Sequence, residues 1–160
     1  MLLLRLTGPN LTANADFSAL LARWSAEGVT IEEGGAYAGS RFARMSGEGG
    51  VLSQTVPLPQ SCAKSSYLLH FGLQTEGESC FSGTLIAQVL WLSARGSQLG
   101  CGLRLILPMD CYGGRTWLVY TALTEQAPPG AASALIQFTK SWGETDGALG
   151  VDLVQLARKL

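Results

Sequence analysis

The chain has one histidine, His70, in 160 residues, and that scarcity removes most catalytic schemes. A Ser-His-Asp triad or a Cys-His pair would have to use it. It stands between Leu69 and Phe71, with no nucleophile elbow or glycine-rich loop beside it. Charge is scarce as well, at 14% of residues, against about 25% in a typical soluble domain. The eleven Lys and Arg are scattered, so there is no cationic stripe to neutralise a phosphate backbone. A nucleic-acid partner is not expected. No apolar run approaches the roughly 18 residues of a membrane span. The four cysteines form no C-x-x-C pair, which with a single histidine argues against zinc. Paired acids are few. Glu32 and Glu33 are adjacent at a strand end, so their side chains point to opposite faces. Glu76, Glu78, Glu144 and Asp146 read as solvated loop charges. Gly47-Glu48-Gly49-Gly50 lacks the strand-to-helix setting of a phosphate cradle. These gaps together point away from an enzyme.

What the chain has is turn punctuation. Its twenty glycines suit many turns better than long helices. Strand-length runs are Val29 to Glu32, Arg41 to Met45, Val51 to Leu58, Tyr67 to Leu73, Leu85 to Leu92, Leu103 to Leu107, Trp117 to Leu123 and Ala134 to Thr139. Breakers such as Gly34-Gly35, Arg95-Gly96-Ser97 and Ala127-Pro128-Pro129-Gly130 separate them. Met1 to Leu6 reads as a first strand rather than a signal peptide, since it has no basic start and Arg5 interrupts it. Phe17 to Ala26 is the helical candidate, with Asp16 as its cap and Phe17, Leu20, Leu21 and Trp24 on one face. Residues 1–160 are thus expected to form one all-β domain, a single antiparallel β-sandwich with at most one short helix. Its first and last strands should come together.

Alternation assigns faces. Trp24, Tyr67, Phe71, Trp91 and Phe138 fall in the inward phase and are the expected aromatic core. His70, Gln88, Arg104 and Gln137 then point outward. With the ring of Tyr120 they form a candidate sugar-binding set, hydrogen bonds for hydroxyls and a ring for the apolar sugar face. Plain polar-out alternation explains them equally. Leu85 to Leu92 is apolar on both faces except at Gln88. A strand with water on one side alternates, so something is expected to cover this one.

The stretch from Asn10 to Gln155 resembles the galactose-binding-like, carbohydrate-binding-module-like jelly-roll domains of bacterial surface and spore proteins. The resemblance is carried by Asn14-Ala15-Asp16-Phe17 with Trp24, by Gly39 to Met45, and by Leu52-Ser53-Gln54-Thr55-Val56. It continues through Ser66 to Phe71, Val89 to Leu92, Trp117 to Thr121, Ala127-Pro128-Pro129-Gly130 and Val151-Asp152-Leu153-Val154. It implies a jelly roll and a non-catalytic glycan-binding role. It also implies a structural calcium, for which Asp16 and Asp152 are the candidates. Ser18 and Leu153 stand where the family often has further acids, which weakens that expectation, and no other cofactor is implied. The competing reading is a structural subunit that self-assembles into a surface layer, appendage or filament. Low charge and excess apolar surface favour it. The partner is then a glycan or further copies of the chain.

Strand direction orders the cysteines. If the segments near 66–73, 84–94 and 101–107 run up, down and up, Cys80 and Cys111 share the upper end and Cys62 and Cys101 the lower. Sequence neighbours are then a strand length apart, roughly 20 Å at about 3.3 Å per residue. A disulfide needs Cα atoms within about 7 Å. Cys80–Cys111 is therefore the favoured bridge, with Cys62–Cys101 as a second, the alternatives being reduced thiols or bridges between subunits. A bridge of that loop size adds roughly 3–4 kcal/mol. Non-reducing peptide mapping is expected to show a Cys80–Cys111 linked peptide. A Cys101–Cys111 peptide would mean that the strand order is wrong.

Overall fold

A computed structural model of the protein describes residues 7–46, 48–60, 64–75, 81–110, 116–141 and 147–160. Among the described residues the regular structure is eleven strands: β1 (Thr7–Asn10), β2 (Ser25–Glu27), β3 (Val29–Glu33), β4 (Arg41–Met45), β5 (Gly50–Pro57), β6 (Tyr67–Thr75), β7 (Phe81–Ser93), β8 (Gln98–Asp110), β9 (Trp117–Leu123), β10 (Ala131–Lys140) and β11 (Leu149–Lys159). They form two antiparallel sheets. Sheet A runs β3-β4-β11-β6-β9, with β1 also on β11, and sheet B runs β2-β5-β10-β7-β8. The chain crosses between sheets at almost every connection. Only the β3–β4 and β7–β8 hairpins stay in one sheet. This is the expected jelly-roll sandwich, and the first described strand, β1, pairs with β11. No helix among the described residues is long and apolar enough to cross a membrane.

The inner faces close on each other. From sheet A come Tyr67, Leu69, Phe71, Leu73, Val151 and Leu156, and from sheet B come Leu52, Leu85, Val89, Trp91, Ile136 and Phe138, all buried. The five predicted core aromatics are all inside. Phe71 meets Phe138 edge-on at 5.0 Å between ring centres, and Tyr67 meets Trp91 at 5.6 Å. β8 runs longer than expected, through Gly100 and Gly102. Gly102 is required there, because a Cβ on it would lie 2.6 Å from the Trp91 ring.

The segment predicted as a short helix is instead a ribbon of turns. Phe17, Leu20, Ala22 and Trp24 donate their amides three residues back, and Asn14, Phe17, Leu20 and Arg23 all have positive φ. A left-handed residue every third position cannot propagate a right-handed helix. Asn14 supports it: its side-chain amide donates to the carbonyls of Leu20 and Ala22, and its side-chain oxygen accepts from Ala19 N. Asp16 accepts from Ser18 N. The apolar spacing therefore served a different end, the burial of Phe17 and Trp24 against each other at 5.4 Å.

The β7–β8 ladder ends with Phe81 opposite Asp110. Met1 to Leu6, Cys62, Cys80 and Cys111 lie outside the described residues, and so does the bridge expected between the last two. Cys101 is described, and it carries an exposed, free thiol on β8.

Trp91→Ala is expected to cost about 3–5 kcal/mol of stability, and Gly102→Ala about 1–3 kcal/mol through overpacking. Combined in one chain the two losses should be less than additive, since the ring that crowds residue 102 is gone. Urea unfolding midpoints of the three variants check this.

Candidate functional site

Gly34 to Ser40 connect β3 to β4. Gly34 and Gly35 take φ of +83° and +69°, which suits glycine alone, and Gly34 N closes the loop on Ser40 O at 2.8 Å. The loop folds back over the outer face of sheet A. On that face the registers set Thr30, Arg44, Gly150, Gln74 and Trp117 in one row across five strands. Asp152, Gly72 and Val119 form the next row, and Gln155, His70 and Thr121 the third.

Two glycines make the floor. A Cβ on Gly150 would lie 3.0 Å from the Phe42 ring and 3.1 Å from Trp117, and one on Gly72 would lie 3.3 Å from Trp117 and 3.5 Å from Tyr37. Three rings therefore converge where the strands have no side chains. Phe42 meets Trp117 edge-on at 5.3 Å, and Tyr37 meets it at 6.2 Å. The Trp117 indole donates to Gly35 O at 2.8 Å, which ties the loop to β9. Beside the rings lies an open cleft of about 140 Å³ lined by Glu32, Glu33, Gly34, Gly35, Phe42, Arg44, Gln74 and Gly150. Arg44 stands 3.9 Å from Glu32, and Arg41 bonds Glu33 at 2.9 Å.

Under the loop sits Asp152, fully buried. Its Oδ2 accepts from Ala38 N at 2.8 Å and its Oδ1 from Leu153 N at 2.7 Å. Burial pushes its carboxyl up to about 6, against the N–H bonds from Ala38, Leu153 and Tyr37 that favour the charged form, while the nearby Asp16 charge adds to the rise. Leu153 has a φ of +46°, and the β11–β6 register slips between Asp152 and Gln155. This bulge is where the loop is anchored.

No family model matches the chain, and no curated protein matches it. Solved structures do match. TmCBM61, solved in complex with β-1,4-galactotriose, superposes with a TM-score of 0.64 at 19% identity, over 95% of this chain and 100% of its own. The enzymatically active domain of bacteriophage CBA120 tailspike protein 4 superposes with a TM-score of 0.71 at 19% identity, over 93% of this chain and 21% of its own. This chain thus spans about a fifth of that solved domain. An apo-form cyclase from Fischerella sp. gives 0.71 at 13% identity, over 96% and 97%. Modules of families 16 and 22 share the architecture. The chain has the jelly-roll fold of carbohydrate-binding modules. At these identities the likeness is one of fold, and that fold carries both binding modules and enzymes.

The jelly roll distributes the predicted site residues over both of its outer faces. His70 lies on sheet A, one row beyond Gly72, with its Nδ1 3.0 Å from Thr121 Oγ1, and partial burial holds its imidazole below the ordinary range. Gln88, Gln137 and Arg104 are on the outer face of sheet B, in direct register with one another. Tyr120 joins neither face. It turns inward and stacks on Phe71 at 5.5 Å, because strand alternation sets it opposite Thr121. The expected five-residue set is therefore not one site. The cleft residues Tyr37, Phe42 and Trp117 were missed. Mid-strand glycines were the available signal, since a glycine inside a strand marks a close approach from above.

Asp16 and Asp152 do approach one loop, and Asp16 Oδ2 is 3.7 Å from a Cβ built on Gly39. They do not fit a calcium shell. Calcium takes six to eight oxygens, whereas both Asp152 oxygens accept backbone N–H bonds, and Asp16 Oδ1 accepts one from Ser18. Hydrogen bonds from Ser18 hold Asp16 below the ordinary carboxylate range. Among the described residues no three His, Cys, Asp or Glu side chains gather to hold a metal ion.

The raised Asp152 carboxyl makes a pH prediction. Between about pH 4 and 6 the folded chain keeps a proton that the unfolded chain has released, so stability should fall as pH rises through that window and level off above it. The loss is about 2–3 kcal/mol at most, at 1.4 kcal/mol per pK unit. Asp16 acts in the opposite sense and below that window. Unfolding free energies measured from pH 4 to 7 should show the fall in the wild type and its disappearance in Asp152→Asn.

Proposed function

We propose that the outer face of sheet A binds a glycan, and that the chain is a non-catalytic carbohydrate-binding β-sandwich working at a bacterial cell or spore surface. One observation carries this reading: Tyr37, Phe42 and Trp117 converge over Gly72 and Gly150, beside Arg44, Gln74 and Glu32. Rings suit the apolar face of a sugar, and amide, guanidinium and carboxylate groups suit its hydroxyls. His70, Gln155 and Thr121 continue the same face by one row and would meet the next sugar of a chain. Two proteins of the same fold are associated with sugars, TmCBM61, solved in complex with β-1,4-galactotriose, and a family 22 module that is a xylan-binding domain.

The non-catalytic part rests on the acids. Glu32 and Glu33 face Arg44 and Arg41, Asp152 is buried under the loop, and His70 bonds Thr121. None is arranged as an acid–base pair across the cleft. The protein is read as working without a bound metal, on the donor set of Asp16 and Asp152. The second reading is assembly of copies into a surface structure. The sparsely charged outer face of sheet B favours it, and it uses a different surface.

Affinity electrophoresis against β-linked galactans and xylans tests the first reading. The wild type should be retarded, and Trp117→Ala should weaken binding about 30-fold or more, as hot-spot aromatics do, with its far-UV spectrum unchanged. The recovered glycan should keep its chain length. Equal retardation of Trp117→Ala, or glycan shortening that is lost in His70→Ala, would overturn the proposal.

A further inference from the structure

The outer face of sheet B is ordered in rows. Ser25, Ser53, Gln137, Gln88 and Arg104 stand in direct register across all five strands. On one side of this polar row run Glu27, Val51, Thr139, Ile86 and Ile106. On the other run Thr55, Leu135, Leu90 and Cys101, and beyond them Pro57, Ser133, Leu92 and Gln98. Ile106 is 58% exposed. The only charges in these rows are Glu27 on β2 and Arg104 on β8, at opposite edges of the sheet. No ring stands among the rows, so the face lacks what a sugar platform uses.

We infer that this face is the interface of a symmetric dimer and that its occupant is a second copy of the chain. The inference goes beyond the assembly reading above, sharing only its surface and ending at two copies, and is independent of the glycan reading. A two-fold axis along β10 lays β2 over β8 of the mate and β5 over β7. Ser25 then lies over Arg104 of the mate and Glu27 over Ile106, one row of about 6.7 Å from that Arg104, so opposite edge charges come near each other twice, once at each end. A two-fold across the strands would set Arg104 over Arg104 and is disfavoured. The same axis lays Val51 over Ile86, Thr55 over Leu90 and Leu135 over itself. At the centre Gln137 meets Gln137 and Gln88 meets Ser53. A glutamine amide both donates and accepts, so a glutamine row can satisfy a copy of itself. Five strands about 4.8 Å apart and four rows about 6.7 Å apart give a projected patch of about 600 Å². With side-chain relief this approaches the roughly 800 Å² per partner of a standard stable interface. The pairing is isologous, so it closes at two copies. It leaves the cleft on sheet A facing outward on both sides of the dimer.

Sedimentation velocity over a concentration series, with reductant present, tests this. The wild type should be dimeric well below roughly 0.1 mM, a weak-to-moderate affinity by ordinary scales. Arg104→Glu and Glu27→Arg should each weaken dimerisation about tenfold or more, and the double variant should recover most of the loss. The alkylation rate of Cys101, read by peptide mass, should fall as the wild type dimerises, which needs no variant to fold. A wild type that stays monomeric overturns the inference. So does a dimer indifferent to both charge reversals, or one that exists only without reductant. Trp117→Ala should stay dimeric, so loss of glycan binding and loss of the dimer are read separately.

Discussion

Burying a carboxylate costs several kcal/mol unless donors come with it, and that constraint organises the outer side of sheet A. Asp152 sits on the outer side of β11, at the bulge in the strand at the centre of sheet A. The amides of Tyr37, Ala38 and Leu153 are its donors. Two of them belong to the β3–β4 loop, so satisfying the acid and closing the loop are one event. Closing the loop carries Tyr37 over Gly72 and brings Gly35 O to the Trp117 indole. Without the acid the loop would keep its ties at Gly34 and Gly35 but lose its anchor at Ala38, next to Tyr37. The N-terminal ribbon is pinned at the same bulge, through Val154 N to Ala15 O and Thr12 Oγ1 to Val154 O. Gln54 then clamps Ala13 from sheet B through both of its amide atoms.

The two outer faces have different chemistry. Sheet A shows rings over glycines, with a guanidinium, an amide and carboxylates at the edge. Sheet B shows aliphatic rows divided by one row of serines and glutamines, with a charge at each edge. In the described rows that surface carries one acid and one base, Glu27 and Arg104. A jelly roll can present such surfaces back to back because the core between them is closed by Trp91, Phe71 and Phe138 and needs nothing from either outer face. A substitution on one outer face therefore leaves the other unchanged.

Much of the fold was legible from residue order. Strand runs came from apolar stretches between turn residues, and the inward phase of Tyr67, Phe71, Trp91 and Phe138 came from period-two alternation. The helical reading of Phe17 to Ala26 failed for a physical reason. Spacing of three or four apolar residues fits a helix, and it also fits a ribbon of three-residue turns in which Asn14, Phe17, Leu20 and Arg23 are left-handed. Only tertiary demand, with Phe17 and Trp24 both needing the core, chooses between them. Tyr120 was misread because its partners on β6 are set by register, and register is a property of two strands rather than one.

The sequence by itself determined what alternation and turn chemistry can encode locally: an all-β sandwich, its aromatic core, and the outward direction of His70, Gln88, Gln137 and Arg104. The tertiary structure decided which of those outward residues meet. Gln88, Gln137 and Arg104 fall into one row because β10 pairs with β7 and β7 with β8, while His70 is carried to the opposite face by the crossover to sheet A. The cleft is likewise a product of long-range pairing. Gly72, Gly150, Tyr37, Phe42 and Trp117 come from five separate segments, and a glycine with no side chain announces its role only once the rings that fill its space have been brought above it.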